Sequence, residues 1–166
     1  MFDDNARALL DKPKQFATIS TIEPDGQPQS SVVWFERDGD DLLISTVEGR
    51  RKHRNLVRDP RCTVLVYDMD QPYSYVEVRG HVEMTREGGR ELIDKFAGAY
   101  QGWDRYPADD GTDNVRVVVR VRPDKVVSRA IPARVQSTLF VAVMLFSSPA
   151  RCSRATSATF ASLEPG

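Results

Sequence analysis

From Tyr73 to Met84 the chain alternates, with Val76, Val78, Val82 and Met84 in one register and Tyr75, Glu77, Arg79, His81 and Glu83 in the other. A period of two belongs to a strand with one buried face, because a helix returns its apolar residues every three or four positions. Val115, Val117, Val119 and Val121 repeat the pattern against Arg116, Val118, Arg120 and Arg122. Phe16 to Ile22, Gln29 to Glu36, Asp41 to Ser45 and the apolar run Cys62 to Tyr67 are further strand-length segments. Pro24-Asp-Gly-Gln-Pro28 and Asp38-Gly-Asp40 read as tight turns, with Gly26 free to take a positive φ, so the first three strands form an antiparallel meander. Pro123-Asp124 reads as another turn, leading into a short strand Lys125 to Arg129.

Three helices fit between these strands. Asp3 or Asp4 can cap the first, which runs to about Asp11 with Ala6, Leu9 and Leu10 on one side. Arg50 to Arg58 is the second, stopped by Asp59-Pro60. Glu87 to Tyr100 is the third, with Leu92, Ile93, Phe96 and Ala99 at helical spacing. No βαβ alternation, G-x-G-x-x-G, Walker loop or G-x-S-x-G is present. The expectation is a mainly β, α+β chain: an antiparallel split or closed barrel of six to seven strands with short helices, since closure removes exposed strand edges.

A chain of 166 residues can bury one sizeable core. Residues 1–129 carry that pattern and are read as the cofactor-binding barrel domain. Residues 130–166 change character, rich in Ala, Ser and Thr and without Lys or Asp, and are read as a poorly ordered appendix or one that pairs with a partner. Its apolar run Thr138 to Phe146 is nine residues long, too short to span a bilayer. With three Arg and one Glu in the appendix, residues 1–129 hold 20 basic and 23 acidic residues, a net of −3. A nucleic-acid surface would need excess positive charge over a whole face, so nucleic acid is not an expected partner. Cys62 and Cys152 form no disulfide framework, and His53 and His81, the only histidines, lack metal-ligand spacing. Both point to a reducing compartment and to no metal. The start Met-Phe-Asp-Asp lacks an export signal, and the expected location is the cytoplasm.

Against that acidic body stands one basic island. Ser45-Thr46 ends the third strand, and Arg50, Arg51, Lys52, Arg54 and Arg58 follow within nine residues, with Arg50, Arg54 and Arg58 at four-residue spacing. Like charges on one helix face repel by about 0.2–0.5 kcal/mol per pair, and cations in a first turn oppose the helix dipole. A bound phosphate or carboxylate would relieve both, because backbone N–H groups and basic side chains converge at a helix amino end. The competing reading is a solvated basic face.

The segments Phe16-Ala-Thr-Ile-Ser-Thr-Ile22, Asp25-Gly-Gln-Pro-Gln29, Ser45-Thr46, Arg50-x-Lys52-x-Arg54-Asn-Leu56, Asp59-Pro-Arg61, Tyr73-Ser-Tyr-Val-Glu-Val-Arg-Gly80 and Trp103-Asp104 occur in this order. Together they resemble the pyridoxamine 5'-phosphate oxidase-like split-barrel flavoproteins, and more narrowly their branch that uses the deazaflavin coenzyme F420. The resemblance covers about residues 5 to 129. It implies that Gln29, Ser31 and Val33 of the second strand lie along the flavin-type ring. Ser45 and Thr46 would sit near the ring and ribityl chain, Arg50, Arg51 and Lys52 would meet the phosphate, and Trp103 would close the pocket from the opposite subunit of a homodimer.

The implied activity is that of an F420-dependent oxidoreductase moving hydride between the deazaflavin and a small conjugated or heteroaromatic substrate. The alternatives are an FMN enzyme of the same fold and a cofactor-binding protein without turnover. F420 extends beyond the phosphate with an oligoglutamate tail, so five cations favour it over FMN. No residue is assigned as catalytic, because the cofactor carries the hydride chemistry.

Overall fold

A computed structural model describes residues 2–131. The expectations for the appendix, including the run Thr138 to Phe146, fall from residue 132 onward outside the described residues. The chain enters through helix α1, Asp4–Leu10, capped by Asp3, whose carboxylate accepts the Ala6 N–H at 2.7 Å. Six strands follow: β1 Phe16–Ile22, β2 Pro28–Asp38, β3 Asp41–Val47, β4 Arg61–Tyr67, β5 Tyr75–Thr85 and β6 Arg116–Arg129. Helix α2, Arg51–Arg58, lies between β3 and β4, and α3, Gly89–Gln101, lies between β5 and β6.

Every pairing is antiparallel, and the order β1-β2-β3-β6-β5-β4 closes where β1 meets β4. At the β1–β2 turn Gly26 has φ 86°, as its position demands. The barrel interior takes one parity of each strand, including Ile19, Ile44, Val64, Val78 and Val119, all fully buried. Burying each such side chain contributes about 1.5–3 kcal/mol. The outward residues Trp34, Leu43 and Val118 are covered by Leu92, Ile93, Phe96 and Tyr100 of α3, giving a second, smaller core outside the barrel.

The sequence expectation fails at Pro123-Asp124. No turn forms there, and β6 is one strand of 14 residues. Gly80 pairs with Pro123 and Arg79 with Lys125, so Asp124 is the extra residue of a bulge. A bulge leaves one residue outside the ladder and accommodates a proline that has no N–H to donate, so the strand continues through a dipeptide that otherwise signals a turn.

Candidate functional site

Strand β3 and helix α2 are joined by three residues, and this junction is braced from within. Arg50 N–H donates to the Val47 carbonyl at 3.3 Å, Gly49 N–H donates to His53 Nδ1 at 3.3 Å, and the Arg54 guanidinium donates to the Gly49 carbonyl. Asn55, buried in α2, donates from Nδ2 to Thr21 Oγ1 at 3.0 Å and ties the helix to β1. No side chain caps the amino end of α2, so the first N–H groups of that helix have no side-chain acceptor.

Beside that end lies a cleft of about 200 Å³. Val33 and Ser45 reach it from β2 and β3, and Arg50 and Lys52 from the junction and first turn of α2. Its remaining wall is apolar and aromatic: Phe16, Val32, Trp34, Ile93, Phe96 and Tyr106. Trp34 stacks on Tyr100 at 5.3 Å between ring centroids and meets Tyr106 edge-on at 5.9 Å. The Tyr100 hydroxyl bridges the backbone carbonyls of Gln15 and Phe35, which fixes this aromatic group against β1 and β2.

Lys52 is half-buried, and its pKa is lowered from the usual lysine value, first by burial and then by the charges of Arg50 and Arg116. Among the described residues no carboxylate forms an ion pair with Lys52 or Arg50, whereas sixteen cation–carboxylate contacts are made elsewhere on the surface or beneath it. Three hydroxyls named from the sequence, Ser31 Oγ, Ser45 Oγ and Thr46 Oγ1, are buried without a hydrogen-bond partner. Unsatisfied buried groups cost about 1–3 kcal/mol each, and a cation pair with no anion adds to that debt. Of these groups Arg50, Lys52 and Ser45 line the cleft, and a ligand carrying a phosphate or carboxylate and a further acceptor fits them.

The other candidates are placed differently. Arg51 stands 3.5 Å from Glu23 and lines a separate depression at the β1–β2 turn, together with Gln29. Gln29 Oε1 accepts from Thr21 Oγ1 at 3.2 Å. Ser31 shares its face of β2 with the buried Val33 and Phe35, and Thr46, 1 % exposed, shares its face of β3 with Leu42 and Ile44. Trp103 is 45 % exposed and does not line the cleft within this chain. Arg58 donates to the Ile22 carbonyl. The five cations thus do not act as one patch: Arg50 and Lys52 face the cleft, and the remaining three engage Glu23 or backbone carbonyls.

Sequence reasoning missed Val32, Trp34, Ile93, Phe96 and Tyr106 as cleft residues. For Val32 and Trp34 a signal existed, since strand parity sets them opposite Val33 and Phe35 and beneath an amphipathic helix. Tyr106 lies in a loop and offered none. No group of His, Cys, Asp and Glu able to hold a metal ion occurs among the described residues, and none of their helices is long and apolar enough to cross a membrane.

Comparison with known proteins agrees with this architecture. A solved structure named F420 Reductase is 31% identical and superposes with a TM-score of 0.68, covering 77% of this chain and 100% of its own. A conserved hypothetical protein from Mycobacterium tuberculosis, 21% identical with a TM-score of 0.60, covers 81% and 94%. General Stress Protein 26 from Bacillus anthracis, 19% identical with a TM-score of 0.55, covers 74% and 89%, and these two show a shared fold. The sequence model of the pyridoxamine 5'-phosphate oxidase family matches residues 2–130. With that match spanning most of the chain and the six-stranded barrel closing as described, the chain belongs to the pyridoxamine 5'-phosphate oxidase family of split barrels.

Proposed function

We propose that this chain is an F420-dependent oxidoreductase acting as a reductase on a small conjugated or heteroaromatic substrate. The observation that carries the reading is the cleft itself, where Lys52 and Arg50 lack a carboxylate and Ser45 Oγ lacks a partner beside an aromatic wall. The likeness to the solved structure named F420 Reductase, 31% identical and matched along its whole solved chain, supports the choice of cofactor. FMN is the second reading, and one observation favours it: two cations facing the cleft suit a single phosphate better than a long polyanionic tail.

In this reading Arg50, Lys52 and the amino end of α2 bind the anionic group, and the Ser45 hydroxyl donates to a ligand acceptor. Phe16, Val32, Trp34 and Ile93 exclude water from the ring and orient it. When bound, the deazaflavin supplies the hydride, and this chain supplies orientation and a dry surface. Ser31 and Thr46 contribute through the strands that carry them, Arg51 and Gln29 from the neighbouring depression, and Trp103 through a second subunit. Val32 at 69 % exposure and Phe16 at 37 % support a homodimer that covers the cleft mouth. Sedimentation equilibrium returning a monomer defeats that part. Residues 130–166 remain outside this assignment, and a cytoplasmic location goes with it.

Titration with F420 and with FMN, followed by cofactor fluorescence, tests the reading: F420 is expected to bind more tightly, and turnover of an enone or nitroaromatic acceptor is expected with the reduced form. Binding of neither cofactor sinks it. The charge state of Lys52 adds a pH dependence. Anion binding favours the ammonium and raises its pKa toward the ordinary value, so affinity is full below the lowered pKa of the free protein and falls as pH rises through the interval up to the bound-state pKa. A Lys52→Arg variant, whose charge persists, is expected to show no such fall. Parallel pH profiles for the two proteins would remove Lys52 from the anion site.

A further inference from the structure

We infer that Tyr106 is the residue that positions the ligand in this cleft, and that the buried Asp109–Arg116 pair holds it in place; the ligand-binding part of this rests on the function proposed above. Tyr106 lies in the connection between α3 and β6, whose regular structure is one 3₁₀ turn, Pro107–Asp109. Connections of about a dozen residues without structure of their own are uncommon and tend to carry function. This one is clamped along its length. The Tyr106 N–H donates to Asp94 Oδ1 at 2.7 Å, and its carbonyl accepts from Arg90 Nη2 at 3.1 Å. Both partners sit on α3 and bond to each other at 2.9 Å.

The second clamp grips the ring. Arg116, at the start of β6, donates twice to Asp109, at 2.6 and 2.8 Å, and its guanidinium carbon stands 4.7 Å from the Tyr106 ring centroid. Asp109 also accepts from Asn114 Nδ2 at 2.9 Å and lies 3.5 Å from Arg90. Arg116 and Asp109 are each 8 % exposed. A buried ion pair is a poor source of stability, because desolvation offsets most of the attraction. What a bidentate fork does supply is fixed direction. Here the fork holds the Arg116 guanidinium over the Tyr106 ring, while Trp34 meets the same ring edge-on. Tyr106 therefore stands between the aromatic wall and the cationic group formed by Arg116, Lys52 and Arg50, where a ligand with an anionic end and a planar ring must pass.

Two measurements test this. In a Trp103→Phe background Trp34 is the sole tryptophan of the chain. There, Asp109→Asn is expected roughly to double acrylamide quenching of Trp34, as local opening uncovers its Tyr106 side. Should Asp109→Asn fail to fold, Asp94→Ala, which releases the same tyrosine from the more exposed α3 side, is expected to act alike. In the natural background, Tyr106→Ala should weaken binding of FMN or F420 by roughly five- to tenfold, the scale of one lost aromatic contact. Tyr106→Phe should restore it. Asp109→Asn combined with Tyr106→Ala should bind no more weakly than Tyr106→Ala alone, since Asp109 acts through the ring. Unchanged Trp34 quenching in both clamp variants, or fully additive losses in the double variant, overturns the inference. If the unmodified protein binds neither cofactor, the proposed function fails, and the quenching measurement alone decides whether the clamp holds Tyr106.

Discussion

Replacing Lys52 by Glu is expected to weaken cofactor binding by about 3 kcal/mol, roughly a hundredfold or more in Kd, without lowering the melting temperature. The two halves of that expectation come from one observation. Lys52 has no carboxylate partner among the described residues, and burial, Arg50 and Arg116 all disfavour its charge. Its ammonium therefore contributes little that the folded protein alone would miss. A carboxylate there would face two guanidinium groups instead of adding to them. Toward an anionic ligand the sign reverses: an attraction that a charged hydrogen bond sets at about 1.5–3 kcal/mol becomes repulsion. Lys52→Met should fall between, having lost the attraction without gaining the repulsion. Isothermal titration of the three proteins with F420 and FMN, beside their thermal melts, reads both halves. A Glu variant that binds as well as the parent would show that the cleft's cations do not meet the ligand.

The strand-forming periodicity carried most of the barrel. Phe16–Ile22 is β1 end to end, and the alternating valines of β5 and β6 face the interior as their spacing demands. Periodicity reports what a strand does with its two faces; it is silent on what lies above the outer one. Arg116 shows the limit. It sits in the outward register with Arg120 and Arg122, yet the α3–β6 connection folds over it and buries it against Asp109. The burial is decided by a partner seven residues back in an irregular loop, and no local pattern encodes it. The basic island divides for the same kind of reason. Spacing placed Arg50, Arg54 and Arg58 on one helix face, but Arg54 and Arg58 end on the carbonyls of Gly49 and Ile22, acceptors that exist only once the turn and the β1 terminus are in place. Lys52, placed with the phosphate-binding group by resemblance, lines the cleft; Arg51, placed there as well, lies beside Glu23.

Gly80→Ala is expected to cost about 3 kcal/mol or more of folding stability, a large fraction of what a domain of this size holds in reserve. A Cβ at this position would stand 2.0 Å from the Arg122 carbonyl oxygen and 3.2 Å from the Pro123 Cα. Nonbonded carbon contacts settle near 3.5 Å, so β5 and β6 would have to part by roughly 1 Å or more. The obstructing atoms are backbone, and no rotamer change moves them aside. An open sheet could relieve the clash by fraying an edge, but this barrel is closed, and Gly80 pairs with Cys62 of β4 on its other side. Any shift is handed to a neighbouring strand. Urea denaturation measures the loss directly, and an alanine variant with an unchanged midpoint would refute the bulge register at Pro123. The cleft gives an internal control. It is built on β1, β2, β3, α2, α3 and the α3–β6 connection, away from the bulge, while β6 supports it through Arg116 and Val118 in the first residues of the strand. The Gly80→Ala protein that remains folded should therefore keep the cofactor affinity that Lys52→Glu loses, separating a residue that allows the barrel to close from one that gives the closed barrel something to bind.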